Sequence, residues 1–215
     1  MRLRFVGNAR ELIESYPNLV IDKQDNEKLF YSDMFEKDSP IHVEIGIGKG
    51  RFIHELAKAN PDINYIGIEK FDSVIVRALE KAIHEPLPNL KLIRVDAQAI
   101  PVILKDHTVE KVYLNFPDPW PKERHAKRRL THRGFLSIYK DLLTENGELH
   151  LKTDNKFLYN YSLEEVIYHD MEIMYNTKDL HGSDFEGNVM TEFEEKFSKR
   201  GNKIFKLTAR FKEKK

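Results

Sequence analysis

Cysteine is missing from all 215 residues, which excludes disulfides and thiolate-held metals. Long apolar runs are missing too: none approaches the roughly 20 residues that cross a bilayer. The opening M-R-L-R-F-V-G-N-A-R has no apolar centre of the kind a secretory signal carries. A cytoplasmic protein with no membrane contact is expected. Net charge is also absent, since 35 Lys and Arg balance 35 Asp and Glu. Affinity for a polyanion must then come from uneven placement of charge. The nine histidines show no metal-ligand spacing, so no metal is expected. Forty per cent apolar residues and a mean hydropathy of -0.56 suit a soluble chain with a sizeable core, as one domain or one with a small appendage.

The charge is in fact uneven. From Lys122 to Arg133 six Lys and Arg stand against the single acid Glu123. They follow V-Y-L-N-F-P-D-P-W-P, Val112 to Pro121, in which an apolar β-favouring run meets three alternating prolines. Pro117, Pro119 and Pro121 fix φ near −65° and press their neighbours into extended geometry, so a helix is excluded and so is a central strand. Asp118 is thereby held with little backbone freedom, although a lone Asp between prolines also serves as an ordinary turn residue. Phe116, next to the strand, is expected to pack in the core. Trp120 has two open roles, packing or stacking on a base. The basic run Arg124, His125, Lys127, Arg128 and Arg129 reads as a handle for a polyanion such as an RNA backbone, against the alternative of a solvated charged face.

From Ile41 strands and helices alternate. Strands are expected at Ile41–Ile45, Asn64–Ile68, Leu90–Val95, Val109–Asn115 and Gly147–Lys152. Helical spacing marks Lys49–Ala59, Ser73–His84, a short turn near Ile100–Leu104, Thr131–Thr144 and Phe157–Tyr168. That alternation implies a mostly parallel sheet with helices on both faces. Met171–Tyr175 and Ile204–Phe211 look like a closing antiparallel pair, separated by an insert with a short charged helix near Thr191–Arg200. Residues 1 to 40 are less regular, with basic Arg2, Arg4 and Arg10 and a short helix within Glu27–Phe35.

Ligands of such sheets bind beyond the carboxyl ends of the strands. Five acids stand there: Glu44, Glu69, Asp96, Asp118 and Asp154. The first strand runs into E-I-G-I-G-K-G, with Gly46, Gly48 and Gly50; Arg51 stands where a dinucleotide fingerprint needs its third glycine, and no ATP-binding P-loop is present. Each acid alone would suit a helix N-cap. Together they would repel phosphate and suit a ligand with hydroxyls, amines and positive charge. S-adenosylmethionine is such a ligand: Glu69 for the ribose hydroxyls, Asp96 for the adenine amine, Glu44 towards the ammonium.

E-I-G-I-G-K-G, Glu69, Asp96-Ala97 and above all N-F-P-D-P-W-P-K-E-R-H-A-K-R-R resemble the bacterial tRNA (guanine-N7)-methyltransferases. The likeness extends to L-K-T-D-N at Leu151–Asn155 and T-E-F-E at Thr191–Glu194, over roughly residues 40 to 211. It implies a Rossmann-like class I methyltransferase, with a mostly parallel seven-stranded sheet and an antiparallel strand at the C-terminal end. Residues 1–40 would then be an arm on a methyltransferase domain of residues 41–215. It implies methyl transfer from S-adenosylmethionine to a guanosine in the tRNA variable loop. Glu44, Gly46, Gly48, Glu69, Asp96, Ala97 and Asp118 match cofactor-site positions, and Asp118 also the catalytic one. Lys122, Asp154, Thr191, Glu192, Phe193 and Glu194 match substrate-contacting positions. Glu123 departs from the family, standing where a second basic residue is common.

Some readings compete. T-x-x-E at Thr191 is also a capping box, and Asp154 also suits an N-cap. The loop Asn115–Trp120 loosely resembles the [DN]-P-P-[FYW] loop of amino-methylating enzymes but lacks the adjacent second proline. A non-catalytic RNA-binding protein on a retained fold is disfavoured by the acids, and a nicotinamide oxidoreductase by Arg51. Monomer and homodimer are equally compatible with the sequence.

Overall fold

The computed structural model describes residues 7–22, 28–29 and 31–212. Arg2 and Arg4 of the expected basic arm, and Glu27 and Phe30 of the expected short helix, lie outside the described residues. The chain divides into two compact units, Met1–Lys105 and Asp106–Lys215.

The first unit contains α1 (Ala9–Glu14), β1 (Val20–Ile21), α2 (Tyr31–Met34), β2 (Ile41–Ile45), α3 (Arg51–Ala59), β3 (Asn64–Glu69), α4 (Asp72–His84), β4 (Leu90–Arg94), a 3-10 turn at Ala97–Ala99 and α5 (Ile100–Ile103). Its strands run in the order β1-β4-β3-β2, all parallel. Every residue of β2 and β3 is buried, as expected of parallel strands covered on both faces. α3 and α4 turn Ile53 and Ala57, and Ile75, Ala78 and Leu79, onto that sheet. Residues 9–21, read as part of an arm, enter the same core: Ile13 and Val20 pack with Ile53, Leu79 and Leu92. Arg94 anchors this region by reaching Asp22 at 2.6 Å and Asp72 at 3.0 Å.

The second unit contains β5 (Val109–Asn115), a 3-10 segment at Glu123–Arg128, α6 (Arg133–Leu142), β6 (Leu143–Thr153), α7 (Lys156–Tyr168), β7 (Met171–Thr177), a 3-10 turn at Leu180–Gly182, α8 (Glu192–Ser198) and β8 (Phe205–Phe211). Its strand order is β5-β6-β8-β7. β5 and β6 are parallel, while β8 runs antiparallel to both β6 and β7. The closing antiparallel pair is therefore present, with β8 inserted between β6 and β7.

The fold is α/β and the strands are mostly parallel, four in each unit and eight among the described residues instead of the expected seven. The additional strand is β1. At two residues it is too short for a periodicity that needs four or more residues to register.

Candidate active site

In the first unit, β2 delivers Glu44, 1% exposed, to the glycine turn. Gly46, Gly48 and Gly50 all have positive φ, at 78°, 58° and 75°, which glycine adopts without the penalty a side chain brings. The turn leans over the end of β3, where the N–H groups of Gly46 and Ile47 donate to the Ile68 carbonyl at 2.8 and 3.2 Å. Gly50 is needed for a second reason: a Cβ there would lie 2.5 Å from the Cβ of Ala78 on α4. Above Gly46 and Gly48 nothing lies within 4 Å of an added Cβ, so the turn has an open side.

Glu69 ends β3 beside that opening. Its carboxylate accepts from the N–H of Gly48 at 3.4 Å, Lys70 at 2.9 Å and Phe71 at 3.2 Å. Burial pushes its pKa up, and those backbone hydrogen bonds offset only part of the rise. Asp96, exposed after β4, accepts from the Gln98 N–H at 3.0 Å and lies 3.5 Å from the Lys70 ammonium. Ala97 opens the following 3-10 turn. The structure thus links Gly48, Glu69, Lys70 and Asp96 by contact along one rim of neighbouring parallel strands. These residues fit S-adenosylmethionine: a side-chain-free cradle and acceptors for hydroxyl and amine donors.

In the second unit, β5 delivers the proline loop. The Phe116 N–H donates to the Lys152 carbonyl at 2.7 Å. Phe116 and Trp120 take φ values of 51° and 41°, left-handed conformations rare for bulky residues and found where surroundings hold a strained loop. Asp118 is exposed between them. Phe116 departs from the expected core position: it is half-buried, and its ring packs on Phe193 at 4.8 Å. That contact brings the Asp118 loop and the Thr191–Glu194 turn together. Trp120 packs within its own segment, with the Arg128 guanidinium 4.9 Å over its ring and His125 at 5.7 Å.

Lys122 precedes the 3-10 segment, on which Arg124, Lys127 and Arg128 are exposed and His125 half-buried. Arg129 corrects the expectation of an RNA contact. Its side chain is 1% exposed, donates to the Trp120 carbonyl at 3.0 and 3.2 Å, and lies over the rings of Phe157 and Tyr161. A guanidinium so enclosed braces the loop and is not presented to a phosphate. Asp154 is likewise not the N-cap of α7, because Asn155 accepts from the Leu158 N–H instead; Asp154 accepts from Asn202 at 3.2 Å. Thr191 does cap α8, its hydroxyl accepting from the Glu194 N–H at 2.9 Å. Glu194 does not complete the capping box; its buried carboxylate turns to Lys152 at 2.6 Å. Lys152 belongs to the family-like L-K-T-D-N stretch, but nothing in the sequence pointed to its burial or its partners beyond a charge at the end of the apolar strand L-H-L-K-T.

Among the described residues no helix is long and apolar enough to cross a membrane, and no group of three or more His, Asp or Glu could hold a metal ion.

Residues 38–207 match the family model Methyltransf_4, described as "Putative methyltransferase". A curated protein of Bacillus cytotoxicus named tRNA (guanine-N(7)-)-methyltransferase is 51% identical over 211 residues, covering 98% of this chain and 97% of that one. Among solved structures, an antibiotic-related methyltransferase superposes with a TM-score of 0.62 at 17% identity, covering 86% of this chain and 98% of its own. A SAM-dependent methyltransferase from Aquifex aeolicus gives 0.57 at 15% identity, covering 96% and 98%. At such identities the two structures speak for the fold alone, which is Rossmann-like. By its family match and by its near-complete overlap with a curated relative, the chain belongs to the tRNA (guanine-N7)-methyltransferase family.

Proposed function

We propose that this chain methylates N7 of a guanosine in the variable loop of tRNA, using S-adenosylmethionine. The observation that carries this is the 51% identity, over nearly the full length of both chains, to a protein named for that reaction.

Bound S-adenosylmethionine supplies an electrophilic methyl group on a sulfonium. Gly46 and Gly48 leave room for it, Glu69 accepts from ribose hydroxyls, Asp96 from the adenine amine, and Glu44 offers charge to the ammonium. Ala97 adds a small surface beside Asp96. Guanine N7 carries a lone pair and no proton, so no general base is required to make the nucleophile. Alignment can then supply much of the rate, with effective molarities of about 10⁵ M or more for well-held reactants. The guanine becomes positively charged as it reacts, and a fixed carboxylate favours that charge without reorganising. Asp118, exposed on a proline-locked loop, is suited to that role by position and charge. Lys122, Asp154, Thr191, Glu192 and Phe193 surround the guanosine, and Glu194 belongs to the same turn. Arg124, His125, Lys127 and Arg128 lie along the RNA backbone. The enzyme works in the cytoplasm as a monomer or homodimer.

The decisive experiment incubates the protein with unmodified tRNA and methyl-labelled S-adenosylmethionine, then applies chain scission specific to 7-methylguanosine. Label in the tRNA with cleavage at one variable-loop site is expected. Transfer to another atom, or cofactor binding without transfer, would overturn the proposal.

A further inference from the structure

We infer that Lys152 is a positioning residue for the tRNA site, and that Glu194 acts as its buried counter-ion and not as a contact to guanine. The inference rests on the proposed function and assigns one residue of the substrate-matching stretch a different role.

Lys152 stands near the carboxyl end of β6, its side chain 4% exposed. An ammonium has three hydrogens and no acceptor capacity. Here it donates to the Glu194 carboxylate at 2.6 Å, the Val189 carbonyl at 2.8 Å and the Asn188 amide oxygen at 3.2 Å. All three acceptors lie in the segment 188–194, so a single side chain fixes that turn to the sheet. The Glu194 side chain is fully buried. Its second oxygen accepts from the Asn188 amide at 2.6 Å and lies 3.2 Å from the His181 ring nitrogen. A guanine edge seeking this carboxylate would have to displace protein donors and leave the Lys152 charge buried without a counter-charge, which costs far more than the pair is worth when intact.

The surroundings reinforce the assignment. Lys206, the cross-strand partner of Lys152 on β8, is pushed down to about 8, chiefly by burial and then by the Lys152 charge, with Glu194 acting in the opposite sense. Glu194, together with Glu148, thus offsets the charge of two lysines that sit side by side in the sheet. Next to it, Phe193 packs on Phe116, two residues before Asp118. Fixing Glu194 consequently fixes both the Thr191–Phe193 turn and one flank of the Asp118 loop.

Three variants test this: Lys152→Met, Glu194→Gln, and the two combined. Each is assayed for KM towards tRNA, kcat, binding of S-adenosylmethionine and melting temperature, with kinetics taken well below every melting point. Lys152→Met is expected to raise KM for tRNA roughly tenfold or more while cofactor binding holds. The double variant, which removes the Lys152 and Glu194 charges together, is expected to regain part of that loss. A Lys152→Met enzyme with wild-type KM and kcat would overturn the inference. So would a double variant no better than Glu194→Gln alone, the pattern of direct guanine contact. If Lys152→Met does not accumulate in folded form, the double variant against Glu194→Gln makes the same comparison. A wild-type protein that binds cofactor but leaves tRNA unmethylated refutes the proposed function, and this inference with it.

Discussion

Asp118 lies between two prolines and is flanked by two aromatics with positive φ, so its backbone is held before any ligand arrives. Replacing Asp118 by Asn keeps the shape and removes the charge. Turnover should fall about 10²- to 10³-fold, the scale of losing one preorganised electrostatic contact, with an unchanged melting temperature. Arg129 supports the same loop from beneath. Arg129→Met leaves the Trp120 carbonyl without its two donors and should cost about 2–4 kcal/mol in urea unfolding. Lys206 gives a pH signature. Its folded pKa of about 8 lies below its ordinary 10.5, so between those values the unfolded chain binds more protons than the folded one. Stability should therefore rise as pH climbs through that window, the charged form being the disfavoured one below it. Lys206→Met should flatten the rise, as measured by urea midpoints near pH 7.5 and pH 9.5.

At the scale of elements, the glycine turn depends on α4 as much as on its own sequence. Gly50→Ala would meet the Ala78 Cβ and force a side chain into positive φ. A loss of about 2 kcal/mol or more is expected, together with weakened cofactor binding, read by titration calorimetry and thermal melting. β2 and β3 were legible because parallel strands buried on both faces read as near-continuous apolar runs, and α3 and α4 because their apolar residues recur at helical spacing. The 3-10 segment Glu123–Arg128 was not, since three-residue turns built from charged residues carry no periodicity. β6 begins at Leu143, inside the expected helix, because Leu142 and Leu143 serve helix and strand equally well.

For the molecule as a whole, a formal charge of zero means that tRNA must be drawn by a local patch. Binding should weaken with salt at a log–log slope of about −0.7 to −0.9 per phosphate engaged. Replacing Arg124, Lys127 and Arg128 together by Ala should reduce that slope by roughly 2 to 3 units, measured by filter binding across a salt series. Arg129→Met should leave it unchanged, because its guanidinium is enclosed.

The sequence by itself determined the alternation of strands and helices, the acids at the strand ends, the rigid Asp118 turn and the family, because each is written in neighbouring residues: periodicity, proline geometry, glycine spacing. Only the tertiary structure decided which charges face solvent and which are buried. Arg129 and Arg128 are adjacent in the chain, yet one is buried over the rings of Phe157 and Tyr161 and the other is exposed. Lys152 and Glu194 are 42 residues apart and meet at 2.6 Å. The free energy of a charge is set by the solvent and partners that packing brings to it, and those partners come from remote parts of the chain.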